Sequence, residues 1–165
     1  FVAPIKKLAP INSVAAEGIE GFDRYGPPQS GFVEQCYLMN LTADDEGNTV
    51  VVLTNRNEDR AVSLSYSVKE LPCFTLWKNT ASLEDGYVTG LEPGTSFPNV
   101  KSFERKHGRV ITLKPGEKYC SKVTMSVHLG KNNVQRILDQ VEKIRKGISP
   151  KIFRKPIEEF SPYSM

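Results

Sequence analysis

From Phe32 to Leu129 the chain is a succession of short β-branched and aromatic runs, each closed by glycine, proline, aspartate or asparagine. Runs this short leave no room for helices of ordinary length, so they constrain the fold to sheets. Phe32 to Leu41 reads as a strand, Asp44 to Asn48 as a turn, and Thr49 to Asn55 as the returning strand of a hairpin. Arg56 to Arg60 turns the chain again into Ala61 to Val68, where small polar and apolar residues alternate with the period of two of a half-buried strand. Phe74 to Lys78, Tyr87 to Glu92, Arg109 to Leu113 and Lys118 to Leu129 complete seven predicted strands, with Lys114-Pro115-Gly116-Glu117 as a turn before the last. Antiparallel strands at this spacing imply an all-β fold, an antiparallel β-sandwich.

The flanks differ. Residues 1–32 carry Pro4, Pro10, Pro27 and Pro28 among four glycines and read as an irregular lead-in, with Val14-Ala15-Ala16 and Ile19 able to pair only briefly. Beyond Asn132-Asn133, read as caps, Val134, Ile137, Leu138, Val141 and Ile144 recur at helical spacing up to Gly147. That stripe is a docking face for one C-terminal helix. Ile148 to Met165 holds Pro150, Pro156 and Pro162 among apolar residues and reads as an extended strap. The expected organisation is therefore a sandwich over residues 1–130 and a helix with a basic tail over 131–165.

The net charge of +3 is unevenly placed: residues 1–130 hold 14 Lys/Arg against 15 Asp/Glu, and residues 131–165 hold 8 against 4. A sandwich body without a basic stripe argues against a nucleic-acid partner. No apolar run is long enough to span a bilayer, so no membrane partner is expected. Cys36, Cys73 and Cys120 lack CxxC spacing and are odd in number, which fits buried thiols in a reducing, cytoplasmic setting. No His/Asp/Glu grouping has metal-ligand spacing, and no cofactor is implied. Phe1 follows no initiator or signal-like leader, and the chain reads as a fragment or a processed polypeptide.

Tyr87 to Asn99 concentrates the chemistry. On an extended segment Val88, Gly90 and Glu92 share one face and Tyr87, Thr89 and Leu91 the other, and Pro93, Gly94 and Pro98 are expected to end the sheet just after the acid. Glu92 is then a carboxylate at a strand end, placed either to face a ligand cleft or to lie in solvent.

Glu34-Gln35, Leu71-Pro72 with Trp77-Lys78, Gly90-Leu91-Glu92-Pro93 with Pro98-Asn99, Arg105, Gly108-Arg109 and Leu113 to Glu117 together resemble the C-terminal half of an aldose 1-epimerase-like protein. More narrowly they resemble an uncharacterised branch of the galactose mutarotase-like superfamily, over roughly residues 10–130. The resemblance implies part of a supersandwich with a sugar cleft, where a glutamate takes the anomeric hydroxyl's proton and a histidine protonates the ring oxygen. Glu92 matches the glutamate base. The acid is not matched by His107, in a turn, or by His128, near the end of the last strand, and the resemblance places it upstream, in an N-terminal half of the same protein or a separate chain. The alternative is a non-catalytic carbohydrate-binding or accessory module.

The same resemblance makes Trp77 a stacking platform, although the single tryptophan of a sandwich is equally a core candidate. Lys78, Glu34, Gln35 and Asn99 would bind sugar hydroxyls, and Arg105 would hold an acidic group or pair with Glu104 or Glu84.

Overall fold

The computed structural model describes residues 1–164. Two sheets face each other across the main core. The larger contains β1 (Ile5–Pro10), β2 (Gln35–Leu41), β5 (Cys73–Asn79), β6 (Val88–Gly94) and the two-residue β8 (Lys151–Ile152), in the order β6-β5-β2-β1-β8. The smaller is β3 (Asn48–Thr54), β4 (Arg60–Ser67) and β7 (Val123–Leu129), in that order. All pairings are antiparallel except the short β1–β8 pair. The fold is thus the β-sandwich with a C-terminal helix that the strand pattern implied.

Alternation decides which residues meet. Leu8, Tyr37, Met39, Phe74 and Leu76 from the larger sheet pack against Val51, Leu64 and Tyr66 from the smaller. Val50 and Val52 point the other way and meet Val134, Ile137, Val141 and Ile144 of α3 (Lys131–Arg145), so β3 is buried on both faces and reads as an unbroken valine run. Burying those four helix side chains contributes about 1.5–3 kcal/mol each as an upper estimate. The helix starts at Lys131 with Gly130 as its N-cap, so Asn132 and Asn133 lie inside it, and it ends with Lys146 in the left-handed conformation just before Gly147.

A third cluster covers part of the larger sheet's outer face. Ala9, Leu38 and Cys73 are buried there, and Phe97 and Phe160 pack against them, their rings 4.8 Å apart. Phe160 belongs to the C-terminal strap. Ser161 fastens it through its hydroxyl to the Ile11 carbonyl at 2.5 Å, and Arg109 reaches the Glu159 carbonyl at 2.9 Å.

Several further expectations need correction. The lead-in contains a full strand, β1, hidden because a register shift between Ile5 and Lys7 breaks its alternation. Val14-Ala15-Ala16 is helical in α1 (Ser13–Glu17), where the Asn12 side chain accepts the Ala15 N–H at 2.9 Å, and Ile19 begins a short 3-10 turn. Arg109 to Leu113 forms no ladder, since Arg109 is drawn back to Glu104 of a second short helix, α2 (Lys101–Lys106), and the last strand starts at Val123 rather than Lys118. Finally, β6 continues through Pro93 to Gly94, which an edge strand permits because a proline's missing donor can face away from the ladder.

Candidate functional site

The outer face of the larger sheet stays open where the strap ends. Cys36 of β2 pairs with Trp77 of β5, and Trp77 with Gly90 of β6, so these three positions form one row across the sheet. Glu92 lies two residues along β6 from Gly90, on the same face, opposite Thr75. Around this row is a cleft of about 540 Å³, within the range that encloses a small ligand. Ile11, Asn12 and Val14 form part of its wall, Pro98 another, and Tyr163 of the strap closes one side.

The Glu92 carboxylate folds back over Gly90. A methyl group on Gly90 would sit 2.2 Å from Glu92 Oε1 and 2.9 Å from its carboxyl carbon, so the glycine is what lets the acid lie along the sheet. Burial raises the Glu92 pKa above the ordinary carboxylate value, even though the residue as a whole is exposed. The shift has no opposing ion pair behind it.

Trp77 is half-buried and lies outside the three core clusters, which resolves its role in favour of the outer face. Its indole Nε1 donates to Glu34 Oε2 at 2.8 Å, fixing the ring plane beside Glu92. Cys36 sits in the same row. Burial, then the nearby Glu34 and Glu92 carboxylates, push its thiol up to about 11, so it stays protonated and apolar at neutral pH. Cys73 is buried, also with its thiol raised to about 11, mainly by burial, whereas Cys120 is exposed and does not fit the expectation of buried thiols.

Of the predicted site residues, the structure brings Glu92, Trp77 and Glu34 together and places the other four elsewhere. Lys78 follows Trp77 on a strand and points to the opposite face, where its buried ammonium donates to the Gly21 carbonyl at 2.8 Å and to that of Arg24, above the Tyr25 ring. It fastens the lead-in. Gln35 turns inward for the same reason and accepts the Tyr37 hydroxyl at 2.7 Å. Asn99 donates to Glu104 Oε1 at 2.7 Å and to the Phe160 carbonyl at 2.8 Å. Arg105 is exposed on α2, and the ion pair expected of it is made by Arg109 instead, Nε to Glu104 Oε2 at 2.5 Å.

Both histidines lie outside the cleft. His107 caps α2, its Nδ1 3.0 Å from the Phe103 carbonyl, and His128 faces α3 from β7, its Nε2 2.8 Å from Ser63 Oγ. Ile11, Asn12, Val14, Pro98 and Tyr163 were not legible as site residues, because their approach depends on long-range docking. Cys36 was missed, although alternation from Glu34 puts it on the same face. Among the described residues no group of three or more metal-ligating side chains is placed to hold a metal ion, and no helix is long and apolar enough to cross a membrane.

The sandwich, with its cleft on one sheet face, has the architecture of a galactose mutarotase-like protein. The chain belongs to the family described as a domain of unknown function, DUF4432, whose model matches residues 1–127. It is also similar to a candidate aldose 1-epimerase from Klebsiella pneumoniae, with 31% sequence identity and a TM-score of 0.90 over 94% of this chain. The match takes in 41% of the Klebsiella chain, so the present chain spans less than half of that protein's length. No curated protein matches it.

Proposed function

We propose that the cleft binds an aldose and that Glu92 is the general base of a mutarotase-type reaction. The observation that carries this reading is the Glu92 carboxylate lying over Gly90 beside the Trp77 indole, with its pKa raised by burial. A raised pKa brings a carboxylate closer to the working pH, where a base is strong enough to accept a proton and still ionised. The Trp77 face stacks on the C–H face of the sugar, and Glu34 is held where it accepts a hydroxyl hydrogen bond.

In the forward step Glu92 takes the proton of the anomeric hydroxyl while a second group protonates the ring oxygen. The ring C–O bond breaks as the carbonyl forms, the C1–C2 bond rotates, and reclosure returns both protons. No group from the tail or from α2 serves as the acid; that partner is a histidine on further polypeptide, equivalent to the part of the Klebsiella protein outside the match.

A second reading has an observation of its own. His107 and His128 both point away from the cleft, as they would in a carbohydrate-binding module that performs no chemistry. Polarimetry on a freshly dissolved anomer, using the protein as the cell makes it, separates the two. The mutarotase reading expects accelerated equilibration that Glu92→Gln slows by about 10²–10⁴-fold. Equal rates for wild type and variant, with sugar binding retained, would leave the binding-module reading standing.

A further inference from the structure

The C-terminal strap holds one of its residues in a way that packing does not explain. Phe160 and Ser161 are 1% and 0% exposed, and both of their N–H groups donate to the Ile157 carbonyl at 2.9 Å. The strap around them is tied down at several points. Lys7 pairs with Glu159 at 2.6 Å and lies 5.6 Å from the centre of the Phe160 ring, while Asn99 and Arg109 donate to the Phe160 and Glu159 carbonyls. Tyr163, two residues beyond Ser161, is 61% exposed. A ring left so far in solvent buries little apolar surface and adds little to folding.

The backbone of Tyr163 is nevertheless fixed. The buried Ser161 hydroxyl accepts the Tyr163 N–H at 3.2 Å and donates to the carbonyl of Ile11, which lines the cleft beside Tyr163. Asn99 ties Phe160 in the same way to the segment that carries Pro98, a further wall residue. A hydroxyl taken out of water must have its hydrogen bonds satisfied. Here both of them serve to hold an exposed ring at the wall of the cleft. Trp77 borders that cleft from the sheet, so two aromatic residues reach it from different elements.

We infer that Tyr163 is a substrate-contact residue, its ring packing on C–H groups of the bound aldose from the strap while Trp77 packs from the sheet, and that Ser161 is the positioning residue that holds it there. This deepens the sugar reading of the cleft and rests on it, but it requires binding only and not the chemistry of Glu92. The contact is set apart in sequence from the strands that carry Glu92 and Trp77, beyond residues 1–127 of the family match. A ring that offers apolar contact holds the ground state and the transition state alike. Its loss therefore raises KM and leaves kcat unchanged.

The test uses the protein as the cell makes it, with D-glucose and D-galactose as probes. Polarimetry of anomer exchange gives KM and kcat, and NMR titration gives Kd. For whichever probe binds, Tyr163→Ala raises KM and Kd about five- to tenfold and leaves kcat within about twofold, and Tyr163→Phe restores the wild-type values. Melting is unchanged in both variants, because the ring is exposed. Ser161→Ala raises KM on its own but adds nothing in the Tyr163→Ala background, a non-additivity that general loosening of the strap would not produce. The proposal is overturned if Tyr163→Ala leaves KM and Kd within about twofold of wild type, if its effect falls on kcat instead, or if Tyr163→Phe is as impaired as Tyr163→Ala. With Glu92→Gln still slowing exchange, each of those results removes Tyr163 from the site and leaves the base in place. Where the protein binds sugar without exchanging it, Kd alone decides. A wild-type protein that binds neither aldose removes the sugar reading itself, and the role of Tyr163 with it.

Discussion

Glu104 and Glu92 are carboxylates beside the covered and the open part of one sheet's outer face, and they differ in burial and in hydrogen-bond partners. Glu104, at the covered end, is 2% exposed and accepts from Phe97 N–H at 3.1 Å, Asn99 Nδ2 at 2.7 Å, and Arg109 Nε and Nη2 at 2.5 and 2.8 Å. Burial alone opposes its ionisation, but these hydrogen bonds and the Arg109 charge outweigh it and lower its pKa. Glu92, at the open end, has burial without compensation, and its pKa moves up. A carboxylate that is fully satisfied holds loops together. One left short of partners has spare capacity for a ligand, which is what the proposed base requires.

Substitutions sharpen this contrast in order of size. The largest effect falls on chemistry: Glu92→Gln slows anomer exchange by about 10²–10⁴-fold under the proposed mechanism, and its melting temperature does not fall. Arg109→Ala does the reverse. It strands the buried Glu104 carboxylate and costs about 3–5 kcal/mol of folding stability in urea titrations, loosening the strap through Asn99 and Phe160. Any residual loss of activity there follows from the strap's Tyr163 leaving the cleft wall. Gly90→Ala has a smaller effect, confined to the open end. Its β-carbon displaces the tip of a flexible side chain and no backbone atom, so the Glu92 carboxylate swings away. Anomer exchange drops about tenfold while stability holds or rises by about 0.4–1 kcal/mol, as for a Gly→Ala change at a compatible backbone angle.

What the sequence made legible follows from the range of the forces involved. Alternation is local, so the shared face of Val88, Gly90 and Glu92 could be read directly, and the register bears it out. The same rule was available against Lys78 and Gln35: each is the neighbour of a residue that faces the cleft, and adjacent strand residues cannot both do so. Arg109 was hidden by a turn. Gly108, at φ +71°, folds the chain back after α2, and only then does Arg109 rather than Arg105 meet Glu104. Tyr163 and Ile11 reach the site from opposite ends of the chain, through docking that no local pattern encodes. β1 escaped because its bulge erased the one signal a short strand has.

The smallest and most discriminating effect is on the pH dependence of stability, where the two carboxylates act with opposite sign. Glu104, with its pKa lowered by folding, contributes stability that is fully present above the unfolded value of about 4.3 and is lost as pH falls through its folded pKa. Glu92, with its pKa raised, binds its proton more tightly folded than unfolded, so stability declines as pH rises from the unfolded value through the folded one. Urea midpoints measured between about pH 3 and pH 7 for wild type, Glu104→Gln and Glu92→Gln separate these contributions. Glu104→Gln flattens the acid limb and lowers the midpoint most at neutral pH. Glu92→Gln raises the neutral midpoint slightly and leaves the most acidic points where they were, because there the wild-type carboxyl is protonated and resembles the amide. Parallel curves for Glu92→Gln and wild type across the whole range would mean that the carboxylate is as well solvated as any surface glutamate, and the contrast between the two ends of the sheet would fail.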